Sequence, residues 1–204
     1  MEDQYFTIAA DSLFELKVKN SRFLAESCLV ASPESALERL AIIRKREYDA
    51  THHCYAYQTG TGTSVVFKYS DDGEPNGTAG KPIYDVLAGS KVTNCLVVVT
   101  RYYGGTKLGT GGLTHAYSDA AKHVLELSGR SEHFLLTHFK LDLEFSAFDR
   151  WQRVISRLGA STLSSDFADR VTMQIAIRQS RAEELKREFI ELTSGRGIIE
   201  EVAR

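Results

Sequence analysis

Apolar and polar residues alternate from Phe14 to Val18, with Phe14, Leu16 and Val18 set against Glu15 and Lys17. A period of two puts each set on its own face of an extended chain, which predicts a half-buried strand. Phe23 to Val30 carries the same signature, and Asn20-Ser21 between the runs predicts a hairpin turn. The period then changes. Leu37, Leu40 and Ala41 recur at helical spacing after Ser32-Pro33-Glu34. There Ser suits the N-cap, Pro the first helical position and Glu the positive end of the dipole. This predicts a helix to about Tyr48, with Arg44-Lys45-Arg46 complementing its C-terminus. His52 to Tyr57 and Val65 to Tyr69 predict two strands around a turn at Gly60-Thr61-Gly62. Thr78 is placed to cap a helix through Leu87, with Pro82 tolerable near its first turn. Cys95 to Thr100 is apolar and β-branched, which predicts a strand buried on both faces. A glycine-rich loop, Tyr103 to Gly112, then opens a helix to about Ser128.

Gly129 to Glu132 reads as a linker. Beyond it the pattern runs strand (134–145), helix (148–158), strand (160–167), strand (171–177), helix (182–192), strand (197–202). That order is the split βαβ of a ferredoxin-like domain. Trp151, Val154, Ile155 and Leu158 supply the core stripe of its first helix. The expectation is an α+β protein of two domains, 1–130 and 131–204.

Composition narrows the class. The chain has 204 residues, 43% hydrophobic and 25% charged. That suits one or two globular domains able to bury a core without staples, and it excludes disorder and collagen. The net charge of −2 excludes a generally basic nucleic-acid coat, though not a local patch. Residues 1–130 carry 14 basic and 15 acidic side chains, and residues 131–204 carry 11 and 12, so each part is −1 and neither is an electrostatic tail. The three cysteines, Cys28, Cys54 and Cys95, make no CxxC pair and suit a reducing compartment. Runs such as Leu96-Val97-Val98-Val99 fall far short of the roughly 20 apolar residues of a membrane span. Met1-Glu2-Asp3-Gln4 has no basic or apolar leader pattern. A soluble, cytoplasmic protein with no membrane partner is expected.

Three constellations could carry chemistry. In the first, Asp71, Asp72 and Glu74 crowd three carboxylates into four positions, which requires solvent, a cation or a basic group among them. Gly73, Gly77 and Gly80 permit tight turns there. The amides near Gly77, Thr78 and Gly80 would then open a helix and attract anions. The second is Arg101-Tyr102-Tyr103-Gly104-Gly105 through Lys107 and Gly109 to Gly111-Gly112, with His115 beyond. It lies between a buried strand and a helix, where a glycine-rich loop presents amides to phosphate. Arg101 and Lys107 add cations, and Tyr102 and Tyr103 add faces for stacking. It matches neither the P-loop nor the dinucleotide GxGxxG pattern. The third is His52-His53-Cys54, in which His52 and Cys54 share one strand face and His53 the other. Two ligands at that spacing do not make a zinc site.

Together these segments, in this order and with Asn20-Ser21-Arg22-Phe23-Leu24-Ala25 before them and Ala116-Tyr117 after, resemble the YigZ/IMPACT family over the first ~130 residues. The remainder resembles the small C-terminal domain of bacterial YigZ-type members. Tyr103 stands where the family has Phe, and His115 where it has Arg. His115 would therefore hold a phosphate only when protonated, below about pH 6.5. The resemblance implies an N-terminal domain like domain 2 of a small-subunit ribosomal protein, the fold of domain IV of elongation factor G. It implies a ferredoxin-like C-terminal domain. It also implies a regulatory role in translation, because the eukaryotic member binds a ribosome-associated scaffold that activates a starvation kinase.

The function expected is a translation-associated binding protein without catalytic residues, resident cofactor or metal. It would hold RNA, a ribosomal surface or a translation factor through Arg101, Lys107 and the glycine loops. One alternative is a small-molecule phosphate-dependent enzyme, kinase-like or hydrolytic. In it Asp71, Asp72 or Glu74 would hold a divalent cation and His52 or Glu74 would act as acid/base on an anionic small molecule. Another is a protein-partner adaptor, which predicts an exposed apolar patch.

Overall fold

The structure, a computed structural model, describes residues 3–202. Met1 and Glu2, part of the amino-terminal reading above, lie outside the described residues. The chain divides into two compact units, Tyr5–His133 and the rest.

The first unit is built on a five-stranded sheet in the order β2 (Ser12–Val18), β3 (Ser21–Leu29), β6 (Cys95–Tyr102), β4 (His52–Thr59), β5 (Val66–Ser70). Each neighbouring pair is antiparallel. The β2–β3 hairpin turns where Asn20-Ser21 predicts it. Helix α1 (Pro33–Arg46) starts at Ser32, whose hydroxyl accepts from the Ser35 amide while Ser35 caps back. Its Leu40 and Ile43 pack with Tyr55, Tyr57, Leu96 and Val98 on one face of the sheet. Helices α2 (Gly80–Gly89) and α3 (Gly109–Ser128) cover the other face, where Ile83, Leu87, Tyr117 and Val124 meet Phe23, Ala56, Val97 and Val99. Each fully buried aliphatic or aromatic side chain contributes about 1.5–3 kcal/mol. Helices on both faces explain why β6 is apolar from Cys95 to Val99. It is the central strand, although of an antiparallel sheet.

One strand of this unit goes unmarked in the sequence pattern, and the linker expectation is corrected. A strand precedes the predicted hairpin: β1 (Gln4–Ile8) pairs with β7 (Arg130–Phe134) in a second, two-stranded sheet. The segment read as the linker 129–132 is therefore largely β7, and the compact units divide after His133 rather than at 130. Polar, charged composition suggested a linker, but β7 is a partly exposed strand whose polar residues satisfy its outer side.

In the second unit, β8 (Leu136–Leu143), α4 (Phe145–Leu158), β9 (Ser161–Phe167), β10 (Val171–Arg178), α5 (Ala182–Thr193) and β11 (Ile198–Val202) follow the predicted element order. The sheet order is β11-β8-β10-β9, fully antiparallel. Both helices pack on one face, where Trp151, Ile155, Leu158, Leu185 and Phe189 meet Phe139, Leu141, Met173 and Ile175. Among the described residues no helix is long and apolar enough to cross a membrane.

Candidate functional site

Strand register decides which motif residues meet. Arg101 lies opposite Phe23 of β3 and His52 of β4. The pleat puts these three on the face that packs against α3. Tyr102 therefore points the other way. Its hydroxyl donates to Glu47 Oε2 at 2.6 Å, the Arg22 guanidinium lies 4.2 Å over its ring, and burial together with Glu47 pushes the phenol up to about 12. Of the two tyrosines expected to stack on a ligand, only Tyr103 reaches the site. His53 likewise faces away from it, its Nε2–H donating to the Glu47 carbonyl, 3.1 Å away. Burial pulls its pKa down.

The first glycine-rich loop is closed by its own carboxylates. Asp71 Oδ1 accepts from the amides of Ala79 and Gly80 at 3.0 and 2.8 Å, and Oδ2 accepts from Gly77 at 2.9 Å. The positive end of α2, expected to attract an outside anion, is thus filled by Asp71. Thr78 does not cap α2 either, because its hydroxyl donates to the Pro75 carbonyl. Asp72 accepts from Arg44 at 2.6 Å and from the His53 amide at 2.7 Å. Gly73, at φ +89, sits against His52 Nδ1, which bonds the Asp72 carbonyl at 2.8 Å. A carbonyl only accepts, so the neutral ring carries its proton on Nδ1 and leaves Nε2 as the open lone pair. Glu74 turns inward, 8% exposed. Its Oε1 accepts from Arg101 Nη1 at 2.6 Å and from the Tyr117 hydroxyl at 2.8 Å, with His52 Nε2 at 3.9 Å. Burial also drives the Tyr117 hydroxyl and the Cys54 thiol far up. The carboxylate crowding in the sequence is thus resolved by three different protein partners.

The second loop stays open. Gly104 is a packing glycine, since a Cβ there would lie 1.8 Å from the Asn20 carbonyl oxygen. Gly105 and Gly109 take positive φ, and Gly109 with Gly111 and Gly112 forms the first turn of α3. Among the described residues no side chain caps that end: Leu108 stands at the N-cap position. The result is a cavity of about 500 Å3 lined by Thr51, His52, Glu74, Pro75, Arg101, Tyr103, Lys107, Leu108, Gly109, Thr110 and Leu113. Arg101 is 5% exposed and already neutralised by Glu74, so it is not the free cation that its sequence position suggests. Its Nε–H has no partner among the described residues. Lys107 is exposed. His115, exposed on α3, is not part of the lining.

Sequence reasoning missed Thr51, whose hydroxyl accepts from the Tyr103 amide at 3.1 Å, and Ser21, which accepts from Arg101 Nη2 and the Gly104 amide. It also missed Tyr117. A Tyr within the apolar stripe of α3 was the available signal, since a buried hydroxyl needs a partner. Among the described residues no group of three or more His, Cys, Asp or Glu is arranged to hold a metal ion.

Comparison with known proteins adds to this geometry. Residues 19–125 match the Impact N-terminal domain, a span that contains the whole cavity, and residues 141–196 match a domain of unknown function. The chain is 34% identical over 198 residues to an IMPACT family member of Haemophilus influenzae, covering 97% of this chain and 96% of that one. It is 32% identical over 180 residues to the IMPACT family member YigZ of Escherichia coli, covering 88% of each. A crystal structure described only as that of a hypothetical protein superposes over the whole of both chains with a TM-score of 0.68 at 28% identity.

Proposed function

The chain belongs to the IMPACT family, and on that premise we propose that it is a translation-associated binding protein that holds RNA or a ribosomal surface by a phosphate at the cavity beside α3. The observation that carries this reading is the contrast between two helix starts. That of α2 is occupied by Asp71, whereas that of α3 is uncapped and opens into a cavity with Lys107 at its edge. A helix N-terminus with a free lysine beside it attracts an anion. We also assign the Tyr5–His133 unit to the fold of ribosomal protein domain 2 and elongation factor G domain IV, and the other unit to the ferredoxin-like fold. The order β11-β8-β10-β9 with both helices on one face supports the second assignment.

Co-sedimentation with ribosomes at two salt concentrations tests the function. Binding is expected at low salt, with a logarithmic salt slope near ~1 per phosphate neutralised. Lys107→Ala should weaken it without unfolding the protein. No co-sedimentation at low salt overturns the reading. The enclosed His52–Glu74–Arg101–Tyr117 cluster favours a second reading, a phosphate-dependent enzyme for a small molecule, which the absence of heat on mixing with Mg-ATP or Mg-GTP would remove. Exposed Val65, Val66, Phe67 and Tyr69 at the sheet edge favour an adaptor role, which deleting that apolar surface, by Phe67→Ser and Tyr69→Ser, would test in a partner pull-down.

A further inference from the structure

We propose that the cavity beside α3 selects a terminal phosphate monoester carried on a nucleoside, whether an RNA end or a free mononucleotide, over the phosphodiesters inside a strand. The proposal rests on the phosphate-binding reading above and narrows its ligand.

Three observations lead there. The first is charge. Lys107 contributes one positive charge, and the N-terminus of α3 is equivalent to roughly half a charge more. Arg101 adds none, because Glu74 cancels it. About +1.5 matches a phosphate monoester, which carries about −1.5 to −2 at neutral pH. A chain of diesters would instead need a row of free cations. The neighbouring arginines do not supply one: Arg44 is held by Asp72, and Arg46 by Glu26 and Glu47.

The second is an unmade bond. Arg101 lines the cavity, is 95% buried by its 5% exposure, and keeps its Nε–H without a partner. A buried charged donor left unpaired is costly, so such a group marks a place where a ligand oxygen belongs. A monoester offers three peripheral oxygens. The cavity offers Lys107 and the first amides of α3 for them, with the unpartnered Arg101 Nε–H in its wall.

The third is shape. A volume of about 500 Å3 falls within the range of small-ligand pockets. Tyr103 lines it, 45% exposed, with the Arg101 guanidinium 5.3 Å from its ring centroid. A half-exposed ring backed by a cation offers a face for a base.

The test uses the full chain and a short ribonucleotide with an internal 2-aminopurine, bearing a 5′-phosphate, a 3′-phosphate or neither. Adenosine monophosphate, adenosine and inorganic phosphate serve as competitors. One phosphorylated form is expected to bind at least about tenfold tighter than the unphosphorylated one. That advantage should vanish in Lys107→Ala, persist in Lys107→Arg, and shrink in Tyr103→Ala. Adenosine monophosphate should compete where adenosine does not. If it competes below the oligonucleotide's own concentration range, the free nucleotide is the source of the phosphate. If it competes only far above that range, the RNA end is. Equal binding of all three oligonucleotides, weakened by Lys107→Ala, would overturn the monoester inference and leave phosphate binding standing. Binding of neither the oligonucleotides, the nucleotide nor ribosomes would overturn both.

Discussion

Arg101 and Glu74 meet at 2.6 Å with side chains almost wholly out of water. Neither can lose the other cheaply: removing one partner of a buried pair leaves a stranded charge and costs about 3–5 kcal/mol. Arg101→Ala should therefore lower stability by that order in urea unfolding, whereas Arg101→Met with Glu74→Gln should recover much of it. The repulsion among Asp71, Asp72 and Glu74 was legible in the sequence. Which base answers which acid was not, because Arg44 and Arg101 arrive from an α-helix and a central strand. His53 carries a pH dependence. Burial holds its pKa below the ordinary 6.5, so the unfolded chain takes up the proton first. Stability should fall as pH drops below about 6.5 until the lower native value is passed, and His53→Gln should flatten that part of a melting-temperature profile. Cys28, Cys54 and Cys95 are all buried, and burial is the leading cause of each raised thiol pKa. A disulfide-exchange reagent should react with none of them before the protein unfolds.

At the scale of elements, local signals were reliable where the chain supplies both partners itself. Ser32 and Ser35 cap α1 within four residues, and Pro33 sits where its missing N–H costs nothing. The start of α2 depends instead on Asp71, which lies nine positions before Gly80. Nothing in the spacing distinguishes that from the nearer Thr78. Asp71→Ala should cost at least the about 1–2 kcal/mol of a lost N-cap, while Thr78→Ala should cost less. The glycines separate in the same way. Gly104 is required by the approach of the Asn20 backbone, so Gly104→Ala should cost about 1–3 kcal/mol through displacement of the loop, read as a lower urea midpoint. At Gly111 there is open space, and Gly111→Ala should be tolerated by the fold. Five glycines in nine positions were visible as a loop signal. Their division into packing, turning and clearance was not.

Across the whole molecule, β7 shows how composition misleads about connections. Gly129 to Glu132 is polar enough to read as a linker, yet Arg130 to Phe134 pairs with β1, and His133 bonds Thr7 and stacks on Tyr5 at 5.3 Å. Inserting one glycine after Ser131 should lower the melting temperature by several degrees, because a one-residue slip turns each following side chain to the other face. A true linker would absorb it. By itself the sequence determined most strand and helix positions, the α+β class, and the segments from which a site would be drawn. Those follow from period, capping and turn chemistry, which act over a few residues. Only the tertiary structure decided that one glycine loop is sealed while the other is open, that Arg101 is spent on Glu74, and that Tyr102 faces away from Tyr103. The last two depend on which residues the sheet register and helix packing bring together across 27 and 55 positions, and the first on a turn that carries Asp71 to amides six to nine positions on; no periodic pattern records either.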